Sequence, residues 1–164
     1  MNAQELFDSA PLGSLVRFSN GHPRPPEHHR RKLRAWREEN GEGRFVERTA
    51  RRHVAAYQTA ASFTLHLGNH GRDGTILLVV RRIYTVESQL DFRIAERPRP
   101  GMVRILTPIG DGVELRFLAR DMAEAEAWMA VHHYSAMTCE TVSEDEAGCG
   151  LGVAGPEHEA AFAG

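Results

Sequence analysis

The sequence predicts an α+β fold: a mainly antiparallel sheet of about six or seven strands, two principal helices and an acidic C-terminal tail. Three observations carry this. Short segments such as 14–19, 62–67 and 91–96 alternate apolar and polar residues, the period of a strand with one buried face. Glycine- and asparagine-containing turn signals separate them at short intervals. Helix start and stop signals bracket only two stretches, near 26–40 and 121–134. With 164 residues, 41% of them hydrophobic and 26% charged, the chain suits one soluble globular domain, read as 1–143, followed by a disordered tail at 144–164.

In chain order, residues 1–12 read as a short frayed segment. Ser14-Leu15-Val16-Arg17-Phe18-Ser19 is the first strand, closed by the turn signal Asn20-Gly21. The prolines of His22-Pro23-Arg24-Pro25-Pro26 exclude helix and central strand, so this stretch is a polyproline-like link into a helix over 26–40. Asn40-Gly41 stops that helix. Its apolar stripe is narrow, Leu33 with Trp36, and Arg30, Arg31, Arg34 and Arg37 occupy much of the remainder. Trp36 is read as an anchor of the helix to the sheet in preference to a platform for a base.

Arg44-Phe45-Val46-Glu47 is a short strand, whereas 49–60 has no clean period and reads as a basic helical turn or an irregular crossing. The strand at 62–67 and the long strand 75–86 form a hairpin through the turn residues 68–74. A strand at 91–96 follows, then strands at 102–106 and 113–118 around Gly110-Asp111-Gly112. Asp121 and Glu124 have capping-box spacing, and Ala125, Trp128, Met129 and His132 recur on one face of the helix they open. Thr138-Cys139-Glu140-Thr141-Val142 is the last strand, with strand–helix–strand across 113–142 a right-handed crossover if the two strands are parallel.

Charge is the most informative feature for function. The net charge is only −2, but residues 1–120 hold all 20 basic side chains against 13 acids, while 121–164 hold nine acids and no Lys or Arg. Segment 17–53 is the most basic, with 11 Lys/Arg, 5 acids and four histidines. Arginines in such a run track phosphates, displace counterions and give salt-dependent affinity. The expected nucleic-acid contacts are Arg30, Arg31, Lys32, Arg34, Arg37, Arg51 and Arg52. The bland counterpart is a solvated helix face neutralised by Glu38, Glu39, Glu42 or the acidic tail. That tail either folds over the basic segment, offers a partner a phosphate-like surface, or simply aids solubility.

Other chemistry is weaker. Adjacent His28-His29 and His132-His133 point about 100° apart on a helix, so neither pair shares a metal as histidines four apart do. Cys139 and Cys149 match no zinc or redox spacing, and Ser14 and Ser62 lack a G-x-S-x-G setting. The glycines at 110 and 112 join two strands, which excludes a dinucleotide fingerprint or P-loop. No cofactor, metal or membrane partner is expected. The longest apolar run has five residues (76–80), and the two unpaired thiols suit a reducing cytoplasm.

The leading expectation is a non-enzymatic protein whose basic N-terminal segment contacts nucleic acid or a nucleoprotein complex. The alternative is a protein-interaction module, an accessory or inhibitory factor binding another protein. A histidine-dependent hydrolase or nuclease ranks third; it requires His22, His28, His29, His66 or His132 to meet an arginine or carboxylate in one cleft.

Overall fold

Strand β2 (Gly41–Thr49) is the branch point of the molecule, described here by a computed structural model over residues 1–54, 57–72 and 75–148. On one side its first half pairs with β1 (Leu15–Ser19), which pairs with β7 (Asp91–Glu96). On the other side Arg44–Thr49 pair with β5 (Ser62–Arg72), which forms a hairpin with β6 (Thr75–Thr85). Through Glu47 it also meets Glu114 of β9 (Gly112–Ala119), which continues into β8 (Val103–Ile109) and β10 (Thr138–Thr141). Among the described residues the result is one eight-stranded sheet with every pairing antiparallel, plus a two-stranded ribbon of β3 (Arg52–Val54) and β4 (Tyr57–Thr59). The sheet is thus larger than the six or seven strands expected. Among the described residues the helices are four and not the two expected: α2 (Arg30–Glu39) and α3 (Met122–Val131), joined by the short α1 (Ala3–Ser9) and α4 (Glu144–Gly148).

Alternation along β1, β2, β5 and β7 buries Val16, Phe18, Phe45, Phe63, Leu65 and Phe92 on one face. The sheet curls enough that Phe92 of β7 and Tyr84 of β6, from opposite edges of this part, bring ring centroids within 5.3 Å. Phe63 sits among them, with the rings of Phe45, Tyr84 and Phe92 at 5.7, 5.6 and 5.3 Å. Burial of these rings, each removing about 150–250 Å² from water, supplies much of the driving force. The Tyr84 hydroxyl is buried and, among the described residues, has no hydrogen-bond partner; burial pushes its pKa up. Tyr84→Phe is therefore expected to leave stability unchanged or raise it by up to about 1 kcal/mol, since an unmade hydrogen bond is removed with its donor. A urea titration showing clear destabilisation would contradict this.

The first twelve residues are not frayed. Asn2 accepts from the backbone N–H of Glu5 while Glu5 accepts from that of Asn2, a complete capping box that starts α1. Ala3 and Leu6 are buried against the aromatic core, and the Met1 ammonium donates to the Phe92 carbonyl at 3.0 Å. Gly13 follows at φ 94°, a left-handed conformation that suits glycine, and an added Cβ would meet Leu118 and Pro98 at 3.2 Å.

A second, smaller core forms where α3 lies on β8 and β9: Val103, Ile105, Ala119 and Ala125 are buried, with Phe117, Trp128 and Met129 packed against them. Asp121 caps α3 by accepting from the Glu124 N–H. The Glu124 carboxylate accepts in turn from the backbone and guanidinium of Arg120, which hold it below the usual carboxylate range. Because β10 and β9 are both antiparallel to β8, they run parallel to each other with β8 between them. Strand β9, helix α3 and strand β10 are therefore a crossover over one intervening strand.

Several local expectations shift. Helix α2 begins at Arg30 and not at Pro26, because Pro26 instead accepts from His29 in a turn. The short strand at 44–47 lengthens at both ends to β2, and at its start Gly41 and Gly43 leave room for the close approach of Phe18 and Leu67. Residues 49–60 contribute the β3–β4 ribbon, and the glycine-rich link 68–74 is largely strand, because β5 continues to Arg72 through a register shift at Gly68. Asp73-Gly74 lies outside the described residues. Helix α3 ends at Val131, a turn earlier than expected. The expected tail is helical over Glu144–Gly148, and the remainder, 149–164, lies outside the described residues.

Candidate nucleic-acid interface

Helix α2 is held through Leu33, Trp36 and Glu39, which accepts from the Asn20 side chain, and leaves its basic side chains open. Leu33 is buried, and Trp36 is half-buried with its indole N–H donating to the His22 carbonyl at 2.8 Å. The indole N–H thus ties the helix to the proline-rich link that precedes it, while Trp36 shares a pocket with Phe18, Gly41 and Phe92 of the sheet. Asn40 ties off the other end, donating to the Trp36 carbonyl and accepting from the Ser19 hydroxyl. Arg30, Arg31, Lys32, Arg34 and Arg37 are all exposed. At 3.6 residues per turn, Arg30, Arg34 and Arg37 fall within about 60° of one another, on one flank of the Leu33–Trp36 stripe. Arg31 extends that arc, whereas Lys32 lies on the other flank.

Neutralisation of this helix is slight. Arg34 approaches Glu38 at 3.7 Å, with both side chains largely in water, and such a pair is worth little. Among the described residues no carboxylate comes within ion-pair distance of Arg30, Arg31, Lys32 or Arg37. The nearby acids are engaged elsewhere: Glu42 with Arg17 at 3.1 Å, Glu27 with Arg24 at 3.1 Å, and Glu39 accepting from Asn20.

Arg51 and Arg52 do not join this surface. The whole of β2 separates them from α2, roughly 30 Å at about 3.3 Å per residue. Arg51 is exposed, and Arg52 pairs with Asp111 at 2.9 Å beside the β8–β9 turn. The seven cations expected in one site therefore form two groups at opposite ends of the central strand.

The acidic C-terminal segment does not cover α2 within the described residues. It folds instead on Arg104, whose side chain is 3% exposed. Arg104 donates from Nε to the Leu12 carbonyl at 2.8 Å, and its two terminal nitrogens bind Glu140 at 2.6 Å and Glu146 at 2.7 Å. A family model matches residues 1–146, which ends on the second of these carboxylates. The chain belongs to the family described as Uncharacterised conserved protein UCP036055. The matched region takes in both cores, α2 and the Arg104 cluster. No curated protein and no solved structure matches the chain.

Within this family member the histidines divide. His22, His28 and His29 lie around the proline-rich link, where the His28 and His29 rings stand 4.1 Å apart. His66 and His132, by contrast, line one cleft of about 560 Å³ between the face of the sheet opposite the aromatic core and α3. Residues of that cleft include Arg44, Arg81, Arg97, Arg116 and Glu96. Two of these arginines bind Glu114, a carboxylate 2% exposed: Arg81, and Arg116 at 3.1 Å. Arg116 also donates to Thr107 at 2.8 Å. His66 and His132 thus meet arginines and a carboxylate in one cleft, the convergence that the histidine-dependent reading requires, and strand register assembles arginines dispersed from 44 to 116. Among the described residues no group of three His, Cys, Asp or Glu is placed to hold a metal ion, and no helix is long and apolar enough to cross a membrane.

Proposed function

We propose that α2 docks this protein onto the phosphate backbone of nucleic acid or of a nucleoprotein complex, without chemistry. The observation that carries the reading is the exposed stripe of Arg30, Arg34 and Arg37 on a helix anchored through Leu33 and Trp36, with one long ion pair among its five cations. Guanidinium groups held this way match phosphate oxygens in two-point geometry and release counterions on contact. Arg31 adds to the stripe. Lys32 contributes from the other flank, and Arg51 and Arg52 form a separate patch for a longer partner. The free, exposed Cys139 fits a reduced, cytoplasmic setting.

The test is fluorescence anisotropy with short DNA and RNA duplexes between about 50 and 200 mM salt, where phosphate contacts give a log–log slope of about −0.9 each. The triple variant Arg30→Ala, Arg34→Ala, Arg37→Ala is expected to reduce the slope by about 3 and keep the wild-type melting temperature, since all three side chains stand in water. With a duplex of about eight base pairs, about 27 Å long at 3.4 Å per pair, Arg51→Ala is expected to leave the slope unchanged. Absence of binding at the lowest salt, or an unchanged slope in the triple variant, overturns the reading and favours a protein partner.

A further inference from the structure

We propose that the cleft between the sheet and α3 is a second, separate site that binds a small phosphate-bearing ligand between Arg44, His66 and Arg81 on one wall and His132 on the other. Strand register builds the first wall. Arg44 of β2 pairs with His66 of β5, and His66 pairs with Arg81 of β6, so the three side chains form one row across three adjacent strands. With strands about 4.8 Å apart, two guanidinium groups and an imidazole lie within a span of about 10 Å. Like charges set in such a row repel; Arg81 is paired with Glu114, and the same register continues from Arg44 through Leu15 to Glu96 of β7.

A β-bulge makes this row possible. Val46 is the extra residue of β2, between Phe45, which pairs with Leu65, and Glu47, which pairs with Thr64. Phe45 and Arg48 therefore face the aromatic core side with Leu65 and Phe63, while Arg44 and Glu47 share the cleft face. The guanidinium donors on that face are only partly spent. Arg44 gives one terminal nitrogen to the Gly13 carbonyl at 2.6 Å, and Arg81 gives one to Glu114. Each guanidinium carries five N–H donors, so both retain several for a ligand. Glu114 is already bound by Arg81 and Arg116, and the four arginines that line the cleft outnumber its one lining carboxylate, Glu96.

The opposite wall is rigid. The His132 ring stacks on Trp128 at 4.0 Å and 8°, and Trp128 stacks on Phe117 at 5.3 Å and 5°. The Nδ1 of His132 is 2.9 Å from the Trp128 carbonyl, so it is Nδ1 that carries the proton of the neutral ring and Nε2 that remains unengaged by this contact. His66 is held similarly, its Nε2 at 2.7 Å from the Asn69 side-chain oxygen. Two arginines and two imidazoles fixed by their own partners, around a cleft within the size range of ligand sites, form a preorganised oxyanion receptor.

Titration of the full chain with inorganic phosphate, and in parallel with a nucleoside monophosphate, at constant ionic strength tests this by following the His66 and His132 ring signals and the arginine Nε–H signals by NMR. A saturable shift of both histidines and of Arg44 is expected, without a matching shift of Arg30, Arg34 or Arg37. Arg44→Gln is expected to weaken binding about 10-fold or more, the loss of a charge-assisted contact. Tighter binding of the monophosphate assigns the ligand as a phosphate ester; equal binding assigns the free anion. No saturable shift with either probe, shifts confined to α2, or unchanged binding in Arg44→Gln overturns the proposal. The α2 triple variant serves as control: it is expected to lose duplex binding while keeping the cleft titration.

Discussion

Alanine at both Arg81 and Arg116 is expected to lower the unfolding free energy by about 3–5 kcal/mol, the cost of stranding a buried charge. Glu114 is 2% exposed and draws its compensation from these two guanidinium groups, which are themselves 40% and 27% exposed. Removing both leaves a carboxylate in the middle of the sheet, opposite Glu47 on β2. Removing the carboxylate instead is milder. In Glu114→Gln the two arginines regain water at the cleft surface, and the amide still accepts one of their hydrogen bonds, so a loss of about 1–2 kcal/mol is expected. Urea unfolding followed by Trp128 fluorescence separates the two. Equal losses in the double arginine variant and in Glu114→Gln would show that packing, and not charge compensation, dominates at this position.

The Arg104 cluster has the opposite polarity and a comparable effect. Here the cation is buried, while Glu140 and Glu146 are 53% and 43% exposed. Glu140→Ala with Glu146→Ala leaves a buried guanidinium with one carbonyl partner, at an expected cost of about 3 kcal/mol. Arg104→Met fills the same space with an apolar chain and frees two half-exposed carboxylates to water. Its expected cost is about 1 kcal/mol, chiefly the unpartnered Leu12 carbonyl. The double variant is also expected to speed proteolysis near α4, because Glu146 is what ties that helix to the sheet. If Arg104→Met proves as damaging as the double variant, the ion pairs are not what holds the C-terminal segment.

How far these features were legible follows from the range of the interactions that make them. Local signals read well. The alternation of 62–67 and 91–96, the Gly110-Asp111 turn and the Asp121 cap all appear where the sequence places them, because each depends on residues within a few positions. Helix α1 was equally local and was missed: Asn2 and Glu5 carry a capping-box spacing that the absence of a long apolar stripe concealed. The sequence starts the strand only at Arg44, because Asn40-Gly41 reads as a helix stop, whereas β2 begins at Gly41. In the fold Gly41 and Gly43 are tolerated for close packing; a Cβ on Gly43 would lie 2.7 Å from Leu67.

The candidate sites divide in the same way. The α2 stripe is readable because 3.6-residue periodicity alone decides which arginines share a flank. That Arg51 and Arg52 lie elsewhere depends on the length and direction of β2. The cleft was not readable at all: Arg44, His66 and Arg81 are brought together by two strand registers and one bulge, and His132 by a helix crossing over β8.

By itself, then, the sequence determined the class of fold, the basic character of α2 and the segregation of acids to the C-terminal quarter. These follow from composition and short-range periodicity, which every chain of this order retains whatever its tertiary contacts. Only the tertiary structure decided which charges are answered and which are free. Ion pairing and burial depend on distances between residues tens of positions apart, so Arg104 became a buried anchor, Arg81 and Arg116 the support of Glu114, and Arg30, Arg34 and Arg37 an open surface.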